Sequence, residues 1–145
     1  SHGRQCVVVS IDAKKNESGH YEVFKNGGKE PTGLCPGAWA KEAQSRGAGE
    51  ILLNSIDQDG RGKGYDIELL KLVSQSTSIP VVALGGVGEW SHLSQAIDET
   101  TVSAVAAANI FHYSENSVHK AKSYLFEAGK QVRKPRLWSP DEGKQ

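Results

Sequence analysis

Apolar residues fall in four short continuous blocks, each followed by a polar or glycine-rich stretch and then by a segment of helical periodicity. The blocks run from Cys6 to Ile11, Glu50 to Ile56, Pro80 to Leu84 and Ser103 to Phe111. Unbroken apolar runs of this length suit parallel strands buried on both faces, because strands with one wet face alternate instead. The first predicted helix is Trp39 to Arg46, stopped by Gly47, and the second is Asp66 to Ser74, with Asp66 as N-cap and Ile67, Leu70 and Val73 on one face. The third, Ser91 to Glu99, opens with a serine cap, and the fourth, Val118 to Ala128, groups Val118, Ala121, Tyr124 and Leu125 before Gly129. Strand, loop and helix four times over predicts an α/β fold with parallel strands and right-handed crossovers, as an open sheet or as part of a barrel.

Three features depart from this alternation. Residues 15–38 form a long connection holding Tyr21-Glu22-Val23-Phe24 and then Asn26-Gly27-Gly28, the signature of an inserted hairpin with a primed turn. Such an insertion at a strand exit serves as the wall of a site or as a plain surface hairpin. From Lys130 to Gln145 five basic residues face two acidic ones, with Pro135 and Pro140, the composition of a flexible tail. Ser10-Ile11-Asp12 and Ser55-Ile56-Asp57 end two strands with the same tripeptide, which a duplicated βα unit or chance would produce.

Composition narrows the partners. The 17 basic and 17 acidic residues cancel, so neither nucleic acid nor an anionic membrane is expected as the main partner. No apolar run is long enough to span a bilayer, and the first residues lack the basic-then-apolar order of an export signal. Two cysteines, Cys6 and Cys35, make neither a disulfide framework nor a metal quartet, which fits a reducing, cytoplasmic setting. At 145 residues the chain is short of the roughly 250 that a complete eight-unit barrel uses.

Ligands of parallel α/β proteins sit at the carboxyl ends of the strands, and each strand exit here bears something chemical. Asp12 leaves the first, Asp57 and Asp59 the second, Gly85-Gly86-Val87-Gly88 the third, and Asn109 lies within the fourth near its end. A carboxylate at such a rim can move protons, or it can simply form a turn or cap a helix. A glycine run between a strand and a helix lets backbone N–H groups approach a phosphate, or makes a tight packing turn. It has neither the lysine and hydroxyl of a nucleoside-triphosphate loop nor dinucleotide spacing. His2, His20, His92, His112 and His119 are scattered without a partner at ligand spacing, so no metal and no cofactor are expected. No G-x-S-x-G elbow supports a serine hydrolase.

The stretches QCVVVSIDAKK (5–15), GAGEILLNSIDQDGRGKGYD (47–66), PVVALGGVG (80–88) and AAANIFHY (106–113) resemble the cyclase subunit of imidazole glycerol phosphate synthase. The resemblance covers residues 4–133 and only the second half of that subunit. It implies a (βα)₈ TIM-barrel fold, of which this chain is one half-barrel of four βα units spanning 1–133, with residues 134–145 as a tail. An open flavodoxin-like sheet that binds a phosphorylated ligand without catalysis is the alternative of a different class.

The resemblance implies that ammonia from a glutaminase subunit and a bisphosphorylated ribulosyl formimino aminoimidazole carboxamide nucleotide yield imidazole glycerol phosphate and aminoimidazole carboxamide ribotide. By the same matching, Asp12 is one of two principal acid–base residues and Asp59 a second acidic group that assists. Gly85, Gly86, Ala108 and Asn109 fall at a phosphate site, Asn54 and Gly60 at substrate contacts, and Glu50 at a charged gate for ammonia. The implied partners are the glutaminase subunit and either the first half of the barrel or a second copy of this half. Four positions depart from the usual pattern: Leu84 and Asn109 stand for serines, and Asn54 and Arg61 for threonines. A paralogous group associated with amidation of surface-polysaccharide sugars, which uses the barrel to pass ammonia onward, is similar as well.

Overall fold

The computed structural model describes residues 7–108, 110 and 118–135. Its elements are β1 (Val8–Lys15), β2 (Tyr21–Lys25), β3 (Glu30–Pro31), α1 (Pro36–Ser45), β4 (Glu50–Ser55), α2 (Ile67–Ser74), β5 (Val81–Leu84), α3 (Trp90–Glu99), β6 (Ala104–Val105) and α4 (Val118–Glu127). One sheet has the order β3-β2-β1-β4-β5-β6. β1, β4, β5 and β6 run parallel, and β2 and β3 are added antiparallel at the β1 edge.

The two faces of the parallel sheet differ sharply. Ile11 and Ala13, Ile51 and Leu53, and Val81 and Ala83 point one way and are buried under the helices. There they meet Ala40 of α1, Leu69, Leu70 and Val73 of α2, Leu93 and Ala96 of α3, and Ala121 and Leu125 of α4. The helices lie in sequence, α1 against α2, α2 against α3 and α3 against α4, so they form a single layer. The opposite face is built from rows in register: Val8 beside Glu50, Ser10 beside Leu52, Val82 and Ala104, and Asp12 beside Asn54 and Leu84. No helix among the described residues covers it, and Val8 is 54% exposed. A flavodoxin-like sheet carries helices on both faces. Helices on one face only are the arrangement of a (βα)₈ barrel, whose other face turns inward, and this chain has four units of it.

The bare face corrects the expectation of strands buried on both sides. Side chains such as Leu52 and Val82 are apolar because a closed barrel would bury them. Other expectations shift for local reasons. β1 continues past Ile11 to Lys15 because Asp12–Lys15 pair with Phe24–Tyr21 of the hairpin. Asn26, Gly27 and Gly28 all have positive φ, as a primed turn requires. α1 starts earlier than its periodicity suggested, with Pro36 at its first turn. Among the described residues the fourth strand is Ala104–Val105, paired with β5, and residues 109 and 111 of the expected strand lie outside the described residues. Asp66 caps α2 as expected, its carboxylate accepting from the Leu69 amide at 3.1 Å. α3 begins at Trp90 with Glu89 as N-cap, so Ser91 lies inside the first turn rather than before it.

The repeated tripeptide is out of phase. Asp12 is in register with Asn54, and Ser55, which is buried on the helix side, pairs with Ala13, whereas Ser10 faces the open side. The match is therefore no sign of a duplicated unit. Within the expected tail, residues 130–135 are described and 136–145 lie outside the described residues.

Candidate functional site

The register that aligns the strands also aligns the chemistry. Asp12 stands on the open face near the end of the part of β1 that pairs with β4, and the Asn54 side chain on β4 donates Nδ2–H to Asp12 Oδ1 at 3.1 Å. Asn54 Oδ1 is buried and has no partner among the described residues. It faces Gly85, where a Cβ would come within 2.7 Å of that oxygen. Asp12, Asn54 and the glycine turn are thus contiguous on one rim, and an orphaned buried acceptor there calls for an N–H or O–H donor from a ligand or water.

Glycine is required at the turn for two reasons. Gly86 has φ +105, and a Cβ would fall 2.1 Å from the Gly64 carbonyl oxygen and 2.9 Å from Gln58. The Gly64 amide donates to the Gly86 carbonyl at 2.7 Å, which presses the loop after β4 onto the loop after β5. Beside this contact Asp59, Gly60, Leu84, Gly85, Gly86, Ala106 and Ala108 line a depression of only 20 Å³. That volume suits a water molecule. A phosphate at this turn must therefore sit on the rim against the backbone rather than in a closed pocket.

Sequence reasoning passed over His92. Its Nδ1 accepts from the amides of Gly88 at 3.2 Å and Glu89 at 3.3 Å, completing half of a capping box from the N3 position. These two bonds engage the amides of Gly88 and Glu89. They also leave any anion at this turn to the preceding amides, those of Gly85 to Val87. The signal was present, since N3 often carries a side chain that reaches back to the cap, but histidine is an uncommon choice there.

The loops at the strand exits are tied to each other. Tyr65 donates its hydroxyl to the Ala106 carbonyl at 2.6 Å, joining the exits of β4 and β6, and burial pushes that hydroxyl well above its ordinary titration range. The hairpin is fixed from the other side. Tyr21 donates to Asp66 Oδ1 at 2.7 Å, and Lys15 pairs with Glu68 at 3.1 Å. Burial, and then the Asp66 and Glu68 carboxylates, raise the Tyr21 hydroxyl, while the Lys15 ammonium holds Glu68 below the usual carboxylate range. The Lys15 amide donates to Asp57 Oδ2 at 3.1 Å, which makes Asp57 a loop tie. The hairpin tip reaches Ile56, since a Cβ on Gly28 would come within 3.0 Å of Ile56 Cδ1. The insertion is therefore a fixed wall at the mouth.

The remaining expected residues fall in different places. Asp59 and Gly60 are exposed in the turn after β4, and Ala108 borders the depression with them. Glu50 starts β4 opposite Val8, on the same face as Asp12 but at the other end of the strands. Asn109 lies outside the described residues. Among the described residues no group of three or more His, Cys, Asp or Glu side chains could hold a metal ion, and no helix is long and apolar enough to cross a membrane.

This arrangement places a carboxylate, an amide and a backbone turn with N–H groups on the carboxyl rim of a one-sided parallel sheet, where barrels hold phosphorylated ligands. The family model described as "Histidine biosynthesis protein" matches residues 1–117, well over half of the chain, and the protein belongs to that family of TIM-barrel enzymes.

Proposed function

We propose that the chain is the second half of an ammonia-using cyclase of the imidazole glycerol phosphate synthase type. In this reading Asp12 exchanges protons with the substrate while it is converted to imidazole glycerol phosphate and aminoimidazole carboxamide ribotide. The observation that carries it is the contiguity of Asp12, Asn54 and the Gly85-Gly86 turn. Addition of ammonia, departure of the leaving amine and ring closure each move a proton, and a carboxylate beside a bound phosphate ester is placed to accept and return one. Gly85, Gly86 and Ala108, with Asn109, hold one phosphate of the substrate, and Asn54 Oδ1 accepts from one of its N–H groups. Asp59 and Gly60 contact the substrate from the second loop. Glu50, at the far end of the same face, is where ammonia from a glutaminase subunit enters.

Closure of the barrel needs four more βα units, supplied by a first-half chain or by a second copy of this one. The bare apolar face, the Val8–Ile11 stretch of β1 that lies beyond its pairing with β2, and the outer edge of β6 favour such pairing. The test mixes the chain with the first half and measures ammonia-dependent turnover of the bisphosphorylated nucleotide. Turnover that requires both chains is the expected result, and its absence with a properly assembled barrel removes the cyclase reading.

One observation favours a second reading, in which the barrel passes ammonia onward for amidation of a surface-polysaccharide sugar. Leu84 stands in register with Asn54 at the site's edge, an apolar side chain where the cyclase pattern has a hydroxyl. Growth of a histidine auxotroph supplied with the complete barrel distinguishes the two, and no growth selects the amidation role.

A further inference from the structure

Lys14 and Lys15 are neighbours in sequence and opposites in space. Lys15 points to the helix side, where its ammonium pairs with Glu68 and lies over the Tyr21 ring. Lys14 points the other way, on the face of β1 that carries Asp12, about 7 Å along the strand from it. Its Nζ rests 4.4 Å from the centroid of the Phe24 ring, and Phe24 is the cross-strand partner of Asp12 itself. None of the ion pairs among the described residues includes Lys14.

The nearest carboxylate by register is Glu22, opposite Lys14 on β2. It is engaged elsewhere, accepting from the Asn16 side chain at 3.0 Å and from the Gly33 amide at 2.7 Å. Lys14, Phe24 and Pro31 border a cleft of 440 Å³ beside the hairpin, whose lining also includes Lys15, Glu17 and Glu22, a size at which small ligands are held. An ammonium over an aromatic face at a partly exposed site is held weakly, and an anionic oxygen competes readily for it.

We propose that Lys14 is a ligand-binding residue of this site, its ammonium leaving the Phe24 ring to take an anionic oxygen of the substrate on the hairpin side of Asp12. The assignment rests on the phosphorylated-ligand reading given above. Lys14 thereby places the ligand against Asp12 from the side opposite the Gly85-Gly86 turn, which lies two strands away at roughly 10 Å. Phe24 holds the unliganded ammonium in place, so the cation is already directed at the site when the ligand arrives.

The two lysines supply a charge-matched test. Binding of pyrophosphate to the 145-residue chain is measured by calorimetry for the wild type, Lys14→Met, Lys14→Arg and Lys15→Met. Expected is an affinity roughly tenfold weaker in Lys14→Met, as for loss of a charge-assisted hydrogen bond. Lys14→Arg should stay within about threefold of wild type, and Lys15→Met should bind normally. A carbon-13 label on the Lys14 side chain supplies a readout independent of affinity. Its ε-CH2 signal, shifted by the Phe24 ring in the free protein, should move toward the value of an exposed lysine on adding pyrophosphate. Equal weakening by Lys14→Met and Lys15→Met, or no change in Lys14→Met, overturns the role of Lys14 and leaves the phosphate reading standing. Failure of the wild type to bind pyrophosphate overturns that reading together with this assignment.

Discussion

Asn54 Nδ2 donates to Asp12 Oδ1 at 3.1 Å across two adjacent parallel strands, and the same asparagine's carbonyl oxygen faces the Gly85 turn on the next strand. One amide thus touches both chemical elements of the rim. It fixes the carboxylate's direction through a bond that the sheet register dictates. Sequence spacing alone, with the two 42 positions apart, gives no hint of it.

Asp12→Asn keeps the side-chain shape and removes the proton acceptor. In a barrel assembled with its first half, turnover should fall by at least 10²-fold, within the range that general acid–base groups contribute. Phosphate affinity should change little, because the Gly85-Gly86 turn lies two strands away. Steady-state kinetics alongside phosphate titration checks this, and unchanged kinetics removes Asp12 from the mechanism.

Gly86→Ala should destabilise the fold by about 2 kcal/mol or more, since the new methyl meets the Gly64 carbonyl at 2.1 Å in addition to the φ penalty. Gly19→Ala is the comparison, because its φ is +79 and nothing lies within 4 Å of the added carbon. It should cost about 1 kcal/mol, the conformational part only. Urea midpoints of the two variants measure the difference. Equal losses would show that the contact between the two loops is not the constraint.

Tyr21→Phe removes the hydroxyl bonded to Asp66 and Glu68 and should cost about 1–2 kcal/mol. Its pH dependence follows from the raised folded-state value. The unfolded tyrosine ionises near pH 10 while the folded one stays protonated. The stabilising contribution is therefore complete below about pH 10 and declines as pH rises beyond it. Tyr65, also raised, acts in the same sense. Thermal unfolding between pH 7 and 11 should show the wild type losing stability at the alkaline end, with a shallower loss in Tyr21→Phe. Parallel curves would mean that the Tyr21 bonds do not persist in solution.

Leu52→Lys places a charge in the middle of the bare face. If that face pairs with another half-barrel, the variant should shift the chain from an associated form to a monomer in sedimentation velocity while keeping its helical content. A wild type that is monomeric at tens of micromolar would contradict the pairing.

The positions of β4, β5 and α2 were legible in the chain because local rules decide them: apolar runs bounded by glycine or proline, and an Asp66 cap that satisfies the Leu69 amide. The hairpin followed from Asn26-Gly27-Gly28 in the same way. Part of the candidate rim was legible too, since Gly85-Gly86 directly follows β5 and Asp59 lies in the turn after β4, and loops that follow parallel strands share one side; Asp12 proved to lie within β1 rather than after it.

Other features depend on partners distant in sequence, and only the tertiary structure decided them. Apolar strands read as covered on both faces, because a side chain's polarity records what it evolved to meet and not which half of the cover this chain carries. Asp57 proved a tie for the Lys15 amide, because the packing of loops distant in sequence brought those atoms together. The choice between Lys14 and Lys15 has the same origin. Their types and neighbours are nearly alike, and the two-residue period of one strand turns one toward the helices and the other to the face that carries Asp12, over the Phe24 ring.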